Sequence, residues 1–292
     1  MQQGLQRIIW LASFPKSGNT WVRTFLANYF LGGKREIGIN ALREFTLSDS
    51  RHDFFLKATD GTHPPDADIP TYMRARAKAL RLIAGAREGN HFVKTHQILD
   101  AVEGEPLIPP ALTAAAIYIL RNPFDVAPSF SRHAGTDLDD TIARMTSPRN
   151  IVSSGTGLHD VLGRWDDHVT SWTSAPGLPR VTVRYEDLIA DPKAGFGTIF
   201  DFLKVTPHPQ RLKKTIRATS FDSLRKQEDE AGFVERPAGM EKFFHSGRAG
   251  GWREALSDRQ VATLHHAFEP ALQEWYPELV DETAAIARRA GA

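Results

Sequence analysis

The run Ser13-Phe14-Pro15-Lys16-Ser17-Gly18-Asn19-Thr20-Trp21 follows the apolar stretch Ile8-Ile9-Trp10-Leu11-Ala12. Apolar run, tight turn and apolar-periodic segment spell strand, turn and helix start. Free N–H groups at a helix start point outward and carry partial positive charge. Gly18 lets the backbone approach a ligand, Lys16 adds a full charge, and Ser17, Asn19 and Thr20 add donors. These are the parts of an anion cradle. The same residues also suit a plain turn in which Asn19 or Thr20 only caps the helix. Lys16, and a place after the first strand of an α/β sheet, favour the cradle. A Walker A loop places its lysine and hydroxyl after the second glycine; here the lysine comes first, so Mg-nucleotide binding of the kinase kind loses its main support.

A second anion candidate lies about a hundred residues on. In the stretch 118–133 a strand ends at Leu120 and Arg121 follows, with Pro123 or Asp125 opening a helix. Pro128 either forces that start to Asp125 or kinks the helix. Ser129 stands eight residues after Arg121. If the turn folds back, a guanidinium and a hydroxyl converge on one phosphate. The competing reading pairs Arg121 with Asp125 and leaves Ser129 in solvent. His96, at the carboxyl end of an expected strand, is a histidine able to act as a general base near neutral pH. The acidic run Asp137, Asp139, Asp140 reads as a solvated face rather than a metal site, and no metal is expected.

These residues need a frame. Four short apolar runs, 8–13, 91–94, 115–120 and 180–184, read as buried parallel strands separated by helical segments. Apolar positions from Trp21 to Phe30 form one helix face, ended at Gly32-Gly33. Helices are also expected over 72–86, near 139–145, and over 257–274 and 281–290. Residues 34–75 read as a long functional loop region. Residues 222–251, rich in charge and glycine, read as an exposed, mobile segment. No linker divides the chain, so one domain over 1–292 is expected.

Composition narrows the functions. The chain has 292 residues, 41% hydrophobic and 24% charged, with a net charge of +1, so no global field exists for nucleic acid or an anionic membrane. There is no cysteine, which excludes disulfides, thiolate metal sites and a cysteine nucleophile. Without a secretory h-region or an apolar stretch of ~20 residues, a soluble cytoplasmic protein is expected, with no nucleic-acid or membrane partner.

Pro15–Trp21 together with Arg121-Asn122-Pro123-Phe124-Asp125-Val126-Ala127-Pro128-Ser129 resembles the sulfotransferases that use 3′-phosphoadenosine 5′-phosphosulfate (PAPS). The resemblance implies that Lys16, Ser17, Gly18, Asn19, Thr20 and Trp21 cradle the 5′-phosphosulfate and that Arg121 and Ser129 hold the 3′-phosphate. It implies His96 as catalytic base, Lys16 at the leaving phosphate, and Lys94 as a second cation near the moving group. Further likenesses place Tyr185, in Tyr185-Glu186-Asp187-Leu188, and Thr219 and Phe221, in Thr219-Ser220-Phe221, beside the adenine. The segment 243–254 is similar to the glycine-rich stretch that closes over the 3′-phosphate, through Ser246, Gly247 and Arg248.

The likeness spans roughly residues 7–256. It implies an α/β fold: a central parallel sheet with helices on both faces, related to the P-loop nucleotide kinases. Asn19 replaces the usual threonine but keeps donors. His245-Ser246-Gly247 replaces the usual Arg-Lys-Gly, which leaves Arg248, or backbone N–H groups, to supply that contact. The expected reaction is sulfuryl transfer from PAPS, a co-substrate, to a hydroxyl of a small phenol or alcohol. The segments 41–58 and 131–155, with Phe45, Phe54 and Phe55, predict an apolar acceptor with a polar handle. The alternatives are a kinase-like phosphoryl transferase on a related sheet, or a non-catalytic nucleotide-binding protein.

Overall fold

A computed structural model describes residues 7–32, 36–59, 61, 68–153, 157–237 and 239–291. The strands are β1 (Ile8–Ala12), β2 (Leu47–Ser48), β3 (His91–Thr95), β4 (Ala101–Val102), β5 (Glu105–Pro106), β6 (Thr113–Leu120), β7 (Ile151–Ser153), β8 (His159–Val161) and β9 (Arg180–Arg184). β4 with β5, and β7 with β8, form small antiparallel ribbons. The other five make a parallel sheet in the order β2-β3-β1-β6-β9. The four expected strands are present, with ends shifted by one or two residues except at Arg180–Arg184. The edge strand β2 was not legible, because two residues carry no pattern.

The helices are α1 (Asn19–Phe30), α2 (Leu42–Phe45), α3 (His52–Ala58), α4 (Ile69–Ala84), α5 (Pro123–Ala134), α6 (Leu138–Met145) and α7 (Trp165–Thr173). After β9 come α8 (Tyr185–Ala190), α9 (Pro192–Phe202), α10 (Pro209–Ala218), α11 (Phe221–Ala231), α12 (Trp252–Ala255), α13 (Asp258–Trp275) and α14 (Pro277–Ala290). Strand side chains alternate between two cores. Trp10 and Tyr118 join Phe124, Trp165, Trp172 and Phe268 on one face. Leu11, Ile117 and Ile119 join Phe25, Leu26, Phe196 and Phe200 on the other. Helices cover both faces, which is why the strands read as unbroken apolar runs rather than alternating ones.

Local signals explain several boundaries. No side chain caps α1; Gly18 occupies the capping position at φ 102°, a left-handed conformation that suits glycine. The plain-cap reading of Asn19 and Thr20 is therefore set aside. α5 starts at Pro123, where the Asn122 side chain accepts from the Asp125 N–H, and it runs through Pro128. Asp137 caps α6, and Asp139 accepts from Gln260, so the acidic run has structural partners.

Two expectations change. Between 34 and 75, the described residues include α2, α3 and the first turns of α4, which Asp68 caps and which starts at Ile69, three residues before the expected start; part of that stretch lies outside the described residues. The segment 222–251 is only partly exposed. Its first part is α11, and Leu224, Glu228, Phe233 and Phe244 within it are buried. Few but well-spaced apolar residues are enough when each lands in the core.

Candidate active site

Four of the five strands of the parallel sheet deliver a candidate residue at the carboxyl end. The turn 13–18 follows β1, His96 follows β3, Arg121 follows β6 and Tyr185 follows β9. That edge of an open α/β sheet is where ligands bind. It opens into a cavity of about 1050 Å³ lined by Lys16, Gly18, Lys94, His96, Arg121 and Ser129, among others. The two distant motifs are thus brought to one place.

The first turn is built as a cradle. Lys16 itself has a positive φ of 67°. A Cβ on Gly18 would lie 2.6 Å from the Tyr185 ring, so only glycine lets backbone and tyrosine meet there. The Ser17 hydroxyl is buried and has no hydrogen bond to a described residue, and the same holds for Nε of Arg121. Unpaired buried polar groups are costly unless a ligand satisfies them.

The Arg121–Asp125 pairing does not form. Asp125 instead accepts from the backbone of Gly250 at 2.7 Å and Trp252 at 3.0 Å, and from the Asn122 side chain at 2.9 Å. Arg121 lies over the Tyr185 ring at 4.3 Å. It donates to the carbonyls of Lys16 at 3.1 Å and Arg248 at 3.3 Å, tying the first motif to the last.

His96 Nδ1 donates to the Ser13 carbonyl at 2.7 Å. That bond fixes the tautomer and leaves Nε2 as the ring's basic nitrogen. Burial, then the charge of Lys94, holds the imidazole well below its usual range, so it is neutral at physiological pH. Behind it, the fully buried His168 donates from Nε2 to the His96 carbonyl at 3.1 Å and takes a hydrogen bond from Tyr118 at 2.9 Å. Lys94 is also lowered by burial, an effect partly offset by Glu235. Lys16 falls to about 7, through burial first and then through Lys94, Arg121 and Arg132. Its ammonium sits 3.9 Å from the centre of the Phe243 ring and 3.5 Å from His133 Nδ1.

Other expected residues divide. Trp21 lines the cavity, donates to the Thr219 carbonyl at 2.8 Å and meets Tyr185 edge-on at 5.8 Å. Thr20, Thr219, Phe221, Ser246 and Gly247 also line it. Gly247, at φ 61°, packs its backbone so closely on Phe221 that a Cβ would fall 2.1 Å from the ring. Two residues are placed differently. The Asn19 side chain turns into the sheet, donating to the Leu11 carbonyl at 2.9 Å and to Ser13 Oγ at 3.3 Å, so it braces the turn rather than offering donors to a ligand. The Arg248 side chain is 61% exposed and pairs with Glu254 at 2.8 Å, so only its backbone reaches the site.

Sequence reasoning missed several contributors. Arg132 lines the cavity beside Arg121, which together with burial lowers its pKa. It lies three residues after Ser129, on the same helix face, a spacing that carried the signal. Glu228 accepts from the backbone of Phe243 and Phe244 at 2.8 and 2.9 Å and so straps 243–247 across the cleft. Glu235 forms a two-point pair with the buried Arg23, at 2.8 and 2.9 Å. Glu186 accepts from the backbone N–H and from the side-chain amide of Asn122 and so holds the second motif in place. Only long-range folding pairs these groups, and nothing local announces them. Among the described residues, no cluster has the makings of a metal site.

The fold and cradle define an α/β protein that holds an anion at the carboxyl edge of its sheet. Residues 6–276 match the family model for the sulfotransferase domain. The chain belongs to that family, and its activity class is sulfuryl transfer. It is 22% identical to cytosolic sulfotransferase 10 of Arabidopsis thaliana over 273 residues, covering 90% of this chain and 77% of the relative. It is 24% identical to mouse sulfotransferase 1B1, covering 86% and 78%. Among solved structures, mouse sulfotransferase SULT7A1 complexed with PAP shares the fold at TM-score 0.61 and 17% identity, over 97% of this chain and 89% of that one. Retinol dehydratase in a complex with retinol and PAP does so at 0.62 and 19%, over 91% and 81%. Among the described residues no helix is long and apolar enough to cross a membrane.

Proposed function

We propose that the protein transfers the sulfuryl group of PAPS to a hydroxyl of a small-molecule acceptor, with His96 as general base. The observation that carries this reading is the committed Nδ1 of His96, which leaves a neutral Nε2 to take a proton in a cavity shared with Lys16 and Lys94. PAPS supplies the activated sulfuryl group; structural relatives are named as complexes with PAP. Two buried polar atoms without partners, Ser17 Oγ and Arg121 Nε, fit such a ligand.

Lys16, the turn 16–20 and Trp21 hold the 5′ end. Arg121 and Ser129 hold the 3′-phosphate, and Arg132 stands in for the guanidinium that His245-Ser246 lacks. Tyr185, Thr219 and Phe221 flank the base, and Gly247 closes over it. As the acceptor oxygen attacks, its proton passes to His96 Nε2, and Lys16 meets the charge growing on the departing phosphate. Lys94 lowers the charge density of the moving group. Such transfers depend mainly on positioning and electrostatics.

The test is His96→Ala. It should bind PAP as tightly as the parent, because the base touches only the acceptor, yet lose at least ~10²-fold in turnover. Turnover within a few-fold of the parent would remove His96 from the role.

A further inference from the structure

The cavity carries a set of polar groups in its lining besides the apolar Phe130, Val152 and Phe243. Phe45, Phe54 and Phe55, expected to make an apolar acceptor pocket, do not line it: Phe45 and Phe55 are buried in the cores, and Phe54 packs against one of them. The polar lining includes Thr46, Ser48, Ser50, Lys94, Asp160 and Arg43.

Asp160 lies on β8, which docks along the chain just past His96. The Val161 N–H donates to Gln97 Oε1 at 2.8 Å, and Ile98 N–H donates to the Val161 carbonyl at 2.8 Å. One carboxylate oxygen of Asp160 is taken by Ser50 Oγ at 3.0 Å and Gln97 Nε2 at 3.1 Å. Both bonds fall on Oδ1, and Asp160 lines the cavity. The Thr46 hydroxyl is without a partner among the described residues. Gln97, which binds Asp160, follows His96 in the chain, and Lys94, His96 and Asp160 line the same cavity.

Resting on the sulfotransferase reading above, we infer that the acceptor is a polyhydroxylated molecule of the saccharide class, in which Asp160 accepts a hydrogen bond from a hydroxyl neighbouring the one that His96 deprotonates. Vicinal hydroxyls match a lining that holds an acceptor, an ammonium and serine hydroxyls. An apolar acceptor would bury Asp160, Lys94 and Ser48 against carbon. Each polar group so stranded costs on the order of tenfold or more in binding. Burial and the nearby Asp49 raise the Asp160 pKa to about 6, so above that pH the carboxylate is ionised and a strong acceptor.

The test starts with calorimetry of PAP binding. Absence of binding removes the sulfotransferase reading itself. Once PAP binding is established, transfer from PAPS is measured in the absence of PAP on a pool of methyl pyranosides and disaccharides, on naphthol and on octanol. The pool should exceed both others by at least tenfold in rate. Naphthol or octanol matching the pool overturns the inference while leaving the transferase standing, as does PAP binding with transfer to none of the three. The nearly isosteric Asp160→Asn should raise the KM for the accepted saccharide at least tenfold with PAP affinity unchanged; an unchanged KM overturns it. If that variant loses PAP binding, Ser48→Ala reads the same lining and should raise the KM several-fold, a flat KM again overturning it.

Discussion

Lys16 makes nucleotide affinity a measurable function of pH. In the free protein its pKa is about 7, lowered by burial and by the charges of Lys94, Arg121 and Arg132. A phosphate seated in the cradle supplies the opposite charge and moves the amine back toward the ordinary lysine range. Above pH 7, binding therefore draws a proton onto Lys16, so affinity falls as pH rises. The limiting slope is one decade per pH unit, about 1.4 kcal/mol. Between pH 7 and about 9 the loss comes to about fiftyfold, roughly 2.3 kcal/mol, because the amine is already half deprotonated at pH 7. Calorimetry with PAP in buffers of different ionisation enthalpy reads both the affinity and the proton taken up. The nucleotide's own phosphate titrates near pH 6, below this window. Lys16→Met provides the control: it should bind more weakly and lose the slope between pH 7 and 9. A parent profile as flat as that of Lys16→Met, or with no proton uptake, would refute the reasoning.

Two further outcomes follow from buried groups. His133 and His168 are held neutral, each at about 4, chiefly by burial, and His96 is lowered in the same sense. Unfolded histidines titrate near 6.5, so between about 6.5 and 4 the unfolded chain binds more protons and stability falls as the pH drops. Urea unfolding should show a loss of about 4 kcal/mol from pH 7 to pH 5 from His133 and His168 together; equal midpoints at the two pH values would contradict it. Glu228→Ala removes both acceptors of the Phe243 and Phe244 amides. Charge-assisted bonds of this kind are worth about 1.5–3 kcal/mol each, so exchange at those amides should quicken by at least a hundredfold and PAP affinity should fall. Unchanged protection would mean that the strap is held by something else.

The sequence alone determined the frame and most of the cradle. Apolar runs with both faces buried read as parallel strands, and the special residues around Gly18 and after Leu120 read as strand-end turns. Both signals are local: backbone conformation and burial constrain residue type at each position. Asn19 marks the limit of such reasoning. Its type announced a donor, but its direction depends on Leu11 and Ser13 lying beneath it. Arg248 likewise has the right chemistry, and Glu254 turns it outward. The tertiary structure alone decided which charges meet. Arg132 stands beside Arg121, Glu228 straps 243–247 to α11, and Asp160 comes to the cavity that His96 lines. Pairings across 15 to more than 120 positions, such as Glu228 with Phe243 and Arg121 with Arg248, leave no periodicity in the chain. They arise because strands 1, 3, 6 and 9 are parallel and end on one edge, so whatever follows each strand converges there.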